Sequence, residues 1–322
     1  MHLSESDNYA KSYSIKSMKL PNKFSRVGKY KYLYLLMVPG ILWYIFFHIW
    51  PLYGIVIAFQ DFLPYQGFFG SEWVGLKHFN TLFSSSGFSD LLINTVYISF
   101  MKLLAGFPAP IILALLINEV KNNKIKRFVQ SASYLPNFIS WVIVTGIIFA
   151  VFNSYYGLLM KFCETIGIPY TDISTNRDYF VAFLVMTSVW KSAGMGSIIY
   201  LAAISSIDSS LYEAAIVDGA GRWKQMFYIT IPSIVPICAI VFILSVGSLL
   251  SGDFEQIYLF AKENIELIKV SEVFETYVYR NGILMANFSF PAAVGIFQSF
   301  FAAMLVLITN SITKKLGYEG IW

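Results

Sequence analysis

The sequence predicts an all-α protein, a polytopic membrane helical bundle with six transmembrane helices. Three observations carry this. Charged residues make up only 13% of the 322, against 57% hydrophobic, about half the charged share of a soluble domain; mean hydropathy is +0.61. Six apolar stretches each come near the roughly 20 residues that a bilayer core requires. These stretches are continuous and lack the alternation of a transmembrane β-strand.

The spans fall at 32–59, 92–117, 134–153, 179–207, 227–250 and 290–313. The first contains Pro39, Gly40 and Pro51 and is expected to be kinked or tilted. Residues 1–31 are polar and basic. The apolar run that begins at Tyr32 is too long for a signal peptide and has no small-residue cleavage site after it. Residues 1–31 therefore read as a tail, and 32–322 as one transmembrane domain. The segment 251–289 is too polar to cross. Its Val270, Val273, Phe274, Tyr277 and Val278 have helical spacing, which predicts an amphipathic helix at the outer surface.

Orientation follows from the basic residues. The tail, the 121–127 loop "KNNKIKR", the 208–226 segment and Lys314-Lys315 hold fifteen Lys and Arg, and the opposite side holds six. Both termini are thus expected in the cytoplasm. Cys163 and Cys238 lie far apart and suggest neither a disulfide framework nor a metal site. The net charge of +4 is small and gives no ground for a nucleic-acid partner.

Between spans four and five lies "LYEAAIVDGAGRWKQMFYITIP", 211–232. Ser210 and Glu213 have the S-x-x-E spacing of a capping box, and Gly219 is placed to end a helix in the left-handed conformation. A short helix of about two turns is expected, with Ala214 and Ala215 forming a small-residue face. On local features alone, a plain surface helix with Glu213 as its cap would suffice.

The longer spacing says more. Glu213-Ala214-Ala215, three residues, Gly219, nine residues, then Ile229-Thr-Ile-Pro232 resembles the EAA signature of importer-type ABC transporter permeases, with Ile231 where that pattern has Leu. Asp218-Gly219-Ala220 resembles the sugar-permease variant. "WVGLKHF" (73–79), "GFPAPIILALLINEV" (106–120), "SYLPNFISWVIV" (133–144), "WKSAGMGSIIYLAAISSID" (190–208) and "AVGIFQSF" (293–300) look like the LplB-type branch of the MalF-type carbohydrate permeases. The resemblance implies a type I ABC importer permease fold in a prokaryotic cell membrane. It implies a coupling helix at about 209–224 in which Glu213, Ala214, Ala215, Asp218 and Gly219 engage an ATPase. It also implies the partners: a second homologous permease, two cytoplasmic ATPase subunits, a solute-binding protein outside, and an oligosaccharide substrate.

No G-x-x-x-x-G-K-[ST] is present; Gly28-Lys29 is followed by Tyr30 and has no glycine-rich loop before it. No catalytic set of carboxylates or of Ser, His and Asp stands out. The chain is therefore expected not to be an enzyme, with ATP and Mg on partner subunits and no cofactor of its own.

Ionisable residues inside spans are expensive and often functional. Lys102 and Lys191 are two such residues. Bonding between helices, to carbonyls or to Asp253 and Glu255, is the favoured expectation for both; a substrate carboxylate is the alternative. Ser188, Ser192 and Met195 share one face of span four. By resemblance to maltose-type permeases that face lines the sugar path, with Gly252, Asp253 and Glu255 of "GDFEQ" in a cavity-lining stretch.

Overall fold

Among the residues described by the computed structural model, five helices are long and apolar enough to cross a membrane. They are Lys31–Phe59, Phe88–Glu119, Arg177–Ser205, Arg222–Gly247 and Ser289–Lys315. The description covers residues 30–320 apart from 86, 251–253, 263, 316, 318 and 319. The expected basic tail, save its last two residues, lies outside it.

The chain divides into two compact units, the first ending at Ile55 and the second beginning at Val56. In the first, the α-helix Lys31–Tyr44 carries Pro39 inside it, and a π-helical turn follows at Ile45–Ile49. Trp50–Phe59, with Pro51 near its start, is 3-10 helix. The α-helical winding continues through Pro39 and changes only from Ile45 onward.

In the second unit, the expected plain third span at 134–153 is corrected. Asn123–Phe138 and Trp141–Phe152 are two helices bent by 102° at a short break. Pro136 sits in the 3-10 turn Leu135–Phe138, where it has no N–H with which to continue the α-helical bonding. Ile139 and Ser140 are extended, and the Ser140 hydroxyl accepts from the Ile143 N–H at 3.4 Å to restart the helix.

Span four is the axis of this unit. A side-chain carbon at Gly194 would lie 1.8 Å from the Ser133 carbonyl oxygen, and one at Gly196 would lie 3.0 Å from Pro110. The two glycines thus let the backbone of the broken third crossing and the second span approach span four directly. Phe180, Phe183 and Leu184 of span four then close a core with Ile98, Trp141 and Val144.

The segment after span five corrects a second expectation. It is not one surface helix at 270–278 but three short helices, Phe254–Ala261, Ile265–Ser271 and Phe274–Val278. The apolar spacing was correctly seen, but Val273 and Phe274 are buried inside the bundle. Ile257, Phe260, Leu267 and Val273 complete the core around span four. Phe274 packs with Leu82, Leu91 and Val294. Asn264 restarts the chain by accepting from the N–H groups of Glu266 and Leu267, and Thr276 bonds the Val273 N–H at 3.0 Å.

Candidate functional site

Near the middle of spans two and four lies a cavity of about 270 Å³. Span two lines it with Thr95, Ser99 and Lys102, span four with Ser188 and Ser192, and the end of span five with Ser245 and Ser248; Ile257 and Val273 of the following segment also reach it. In a bundle this apolar, six hydroxyls on one wall are a concentration of polarity. Several already donate to their own helices: Thr95 to Leu91 O at 2.7 Å, Ser192 to Ser188 O and Ser245 to Val241 O at 2.8 Å, Ser248 to Ser245 O at 3.1 Å. A hydroxyl that donates in this way keeps lone pairs for an incoming donor. The wall therefore suits a ligand rich in O–H groups.

Of the residues expected on the path, the structure brings Lys102, Ser188 and Ser192 together in this wall. Met195, Lys191 and Glu255 are not among its lining residues. Gly252 and Asp253 lie outside the described residues. Thr95, Ser99, Ser245 and Ser248 were missed. A signal for the first two was available: Thr95, Ser99 and Lys102 stand at i, i+4 and i+7, the same face rule that selected Ser188 and Ser192.

The two lysines have different surroundings. Lys102 Nζ donates to Gln256 Oε1 at 2.6 Å. Gln256 is fully buried, and its amide nitrogen donates to Leu184 O and Thr187 Oγ1, both at 2.8 Å. Those two bonds fix the amide so that its oxygen must face Lys102. Gln256 thus fastens the helix Phe254–Ala261 to spans two and four at once. Lys191 instead points at the break in the third crossing. Its ammonium donates to the carbonyls of Pro136 (3.2 Å), Asn137 (3.1 Å) and Ile139, and lies 5.4 Å from the Trp141 ring centre. Pro136 O also accepts the Ile139 N–H at 3.3 Å, and the ammonium gathers these carbonyls at the end of the interrupted helix.

The second candidate element is the helix Ser209–Val217 between spans four and five. Its cap corrects the sequence reading. The Asp208 side chain, not Ser210, accepts at the start, from the Ser210 N–H at 2.9 Å. The chain is still extended at Asp208 and already helical at Ser210, so the aspartate oxygen is the one that overlies the free N–H groups. That hydrogen bond also holds the Asp208 carboxyl below its ordinary pKa. Glu213 is exposed and has no hydrogen bond or ion pair among the described residues.

Gly219 does adopt the left-handed conformation, φ +77°. Ala220 N–H reaches Ala215 O at 2.8 Å and Gly219 N–H reaches Ile216 O at 3.0 Å, so the helix ends in a Schellman-type turn. The Tyr212 hydroxyl meets Thr230 Oγ1 at 2.9 Å and holds the helix to the base of span five. Ala214, Ala215 and Asp218 share a shallow groove with Ile229 and Pro232. The two ends of the sequence signature, eighteen residues apart from Ala214 to Pro232, therefore meet in space. Leu211, Ile216 and Val217 are left exposed, Val217 to 87%.

This arrangement has counterparts. Residues 106–316 match the family model described as binding-protein-dependent transport system inner membrane component. The polygalacturonan/rhamnogalacturonan transport system permease protein YteP of Bacillus subtilis (strain 168) is 43% identical over 292 residues, 91% of this chain and 90% of that one. Protein LplB of the same organism is 41% identical over 292 residues, 91% of each. A chain in the crystal structure of a bacterial alginate ABC transporter, in complex with an alginate pentasaccharide-bound periplasmic protein, superposes with a TM-score of 0.84 at 35% identity, over 93% of this chain and 99% of that one. A match that spans both the polar cavity and the glycine-ended helix shows that the chain belongs to the inner-membrane permeases of binding-protein-dependent transport systems.

Proposed function

We propose that this permease moves oligosaccharides inward by alternating access, as one half of the transport path of an ABC importer. A second homologous permease supplies the other half. A binding protein outside delivers the sugar, and two cytoplasmic ATPases carry ATP and Mg and power the cycle. Both termini then face the cytoplasm, with the basic side of the chain, and the helix Ser209–Val217 docks on an ATPase through Leu211, Ile216 and Val217. Glu213, exposed and without a hydrogen bond or ion pair among the described residues, faces the same subunit.

The observation that carries the substrate class is the hydroxyl-lined cavity at mid-span. An amino acid or phosphate importer would need dense charge there, and among the described residues the wall offers serine and threonine oxygens with a single lysine. Relatives from a polygalacturonan/rhamnogalacturonan transport system and from an alginate ABC transporter support the same class. Galacturonate-containing oligosaccharides are therefore the first substrates to try.

The test is uptake by liposomes containing the complete transporter, with ATP inside. Ser192→Leu and Ser248→Leu are expected to abolish oligosaccharide uptake while assembly and basal ATP hydrolysis persist. Glu213→Lys is expected to abolish uptake by weakening ATPase capture. Uptake of amino acids in preference to any oligosaccharide would overturn the substrate reading. In the same assay, Lys102→Met separates acidic from neutral sugars: selective loss of the acidic ones would make that ammonium a discriminating group.

A further inference from the structure

The basic run 121–127 and the start of span five have no part in the transport reading above. Glu119 closes span two and Arg222 opens span five, and their side chains meet at 3.3 Å. From this ion pair an apolar groove of about 540 Å³ runs along both helices, walled by Ile112, Leu115, Leu116, Met226, Phe227 and Ile231. The stretch from Ile112 to Glu119 is about 10 Å of helix. Trp223 borders the groove and is 71% exposed.

The sequence beside this ion pair is strongly basic. Lys121, Lys124, Arg127 and Lys224 are all exposed, and none forms an ion pair among the described residues. Among the described residues Glu119 is the one acid lining the groove. Its pairing with Arg222 is between half-exposed side chains, a type of contact worth little on its own, so a second anion can share the guanidinium. The groove is thus a hydrocarbon slot that ends at Arg222, with the basic run 121–127 starting two residues beyond Glu119, where two spans end. An exposed tryptophan at that level is an interfacial feature. Four or more Lys and Arg immediately beyond a span form the charge pattern that draws acidic lipids.

We propose that this groove holds one anionic phospholipid, with an acyl chain along the apolar wall and its phosphate at Arg222 and the basic run. The lipid would brace the base of span five, four residues beyond the Asp218 that ends the helix Ser209–Val217. A protein partner would match the apolar wall or the charge; an amphiphile of this type matches both along one axis.

The complete transporter, purified with its partner chains in mild detergent, would be incubated with phosphatidylglycerol or phosphatidylcholine and examined by native mass spectrometry. Preferential retention of phosphatidylglycerol is expected. Lys121→Gln and Lys124→Gln should each lower that retention by about fivefold, near the value of one surface charge. Leu116→Trp, which fills the groove, should lower it while assembly and basal ATP hydrolysis persist. A photoreactive side chain at position 227 should crosslink to the lipid. Equal retention of the two lipids, retention unchanged by both the charge variants and Leu116→Trp, or crosslinking from 227 only to another polypeptide would overturn the proposal. Sugar uptake has no part in these readouts, so they stand apart from the transport reading.

Discussion

The two connections that flank span five are built in opposite ways. The one before it, from Ser206 to Gly221, is shaped by neighbours in sequence. Asp208 caps its helix, Gly219 ends it, the Gln225 amide donates to Ala220 O at 2.8 Å, and the tie from Tyr212 to Thr230 reaches eighteen residues. It leaves Leu211, Ile216 and Val217 in the open. The one after span five is shaped by distant parts of the chain. Gln256 bonds to residues 154 and 72 positions away, the Phe274 N–H bonds to Thr95, and Phe274, Thr276, Ser271 and Ile257 are buried. On the proposed function, the connection offered to another protein is local and exposed, and the one beside the cavity is non-local and buried.

That contrast can be broken most forcefully at Phe274. Phe274→Ala empties a buried site next to Leu82, Leu91 and Val294 and should cost about 3–5 kcal/mol, read as a lower unfolding midpoint of the assembled transporter. A change near zero would mean that the segment after span five is not part of the core. Gln256→Leu comes next. It leaves the Thr187 hydroxyl and the Leu184 carbonyl without their buried donor, a loss of about 1–3 kcal/mol, and uptake should fall with stability.

Gly219→Pro separates the two connections. Proline fixes φ near −65°, against +77° here, and it removes the N–H that reaches Ile216 O. The strain, about 1–3 kcal/mol, stays local. Unfolding of the complex should barely change, whereas uptake and ATPase capture should be lost. If capture survives, the helix Ser209–Val217 is not the docking element.

The smallest effect is expected at Asp208. Asparagine caps a helix about as well as aspartate, so Asp208→Asn should match the parent protein near neutral pH in both stability and uptake. The Asp208 pKa is lowered in the folded state. Its stabilisation is therefore complete above the unfolded value and is lost as pH falls through the folded one. Only in that acidic window should the parent lose helix that the asparagine variant keeps, as hydrogen exchange over 209–217 can register. Equal loss in both would remove the carboxylate from the cap.

What the sequence made legible follows the same division. The spans were readable because each is a continuous run with its own composition. The helix Ser209–Val217 and its glycine end were readable because capping and left-handed turns act within a few residues. Its cap was misplaced by two positions because Asp208 and Ser210 are both good caps, and the choice between them depends on where the backbone first turns helical. The break at Pro136 was passed over because hydropathy is blind to a proline inside an apolar run. Gln256 could not have been found from its neighbours: its partners Lys102, Leu184 and Thr187 are brought to it only by packing. The apolar spacing around Phe274 was visible, but a stripe of that kind does not reveal whether lipid, water or protein covers it.

The serines of the cavity have a consequence for motion. Because several of these hydroxyls already bond within their own helices, on the proposed function a sugar passing along the wall would exchange one modest acceptor for another of similar strength. No single foothold is deep. A conduit must admit its cargo without trapping it, and a row of equal, shallow resting places makes the journey smooth, leaving direction to be imposed from outside the path.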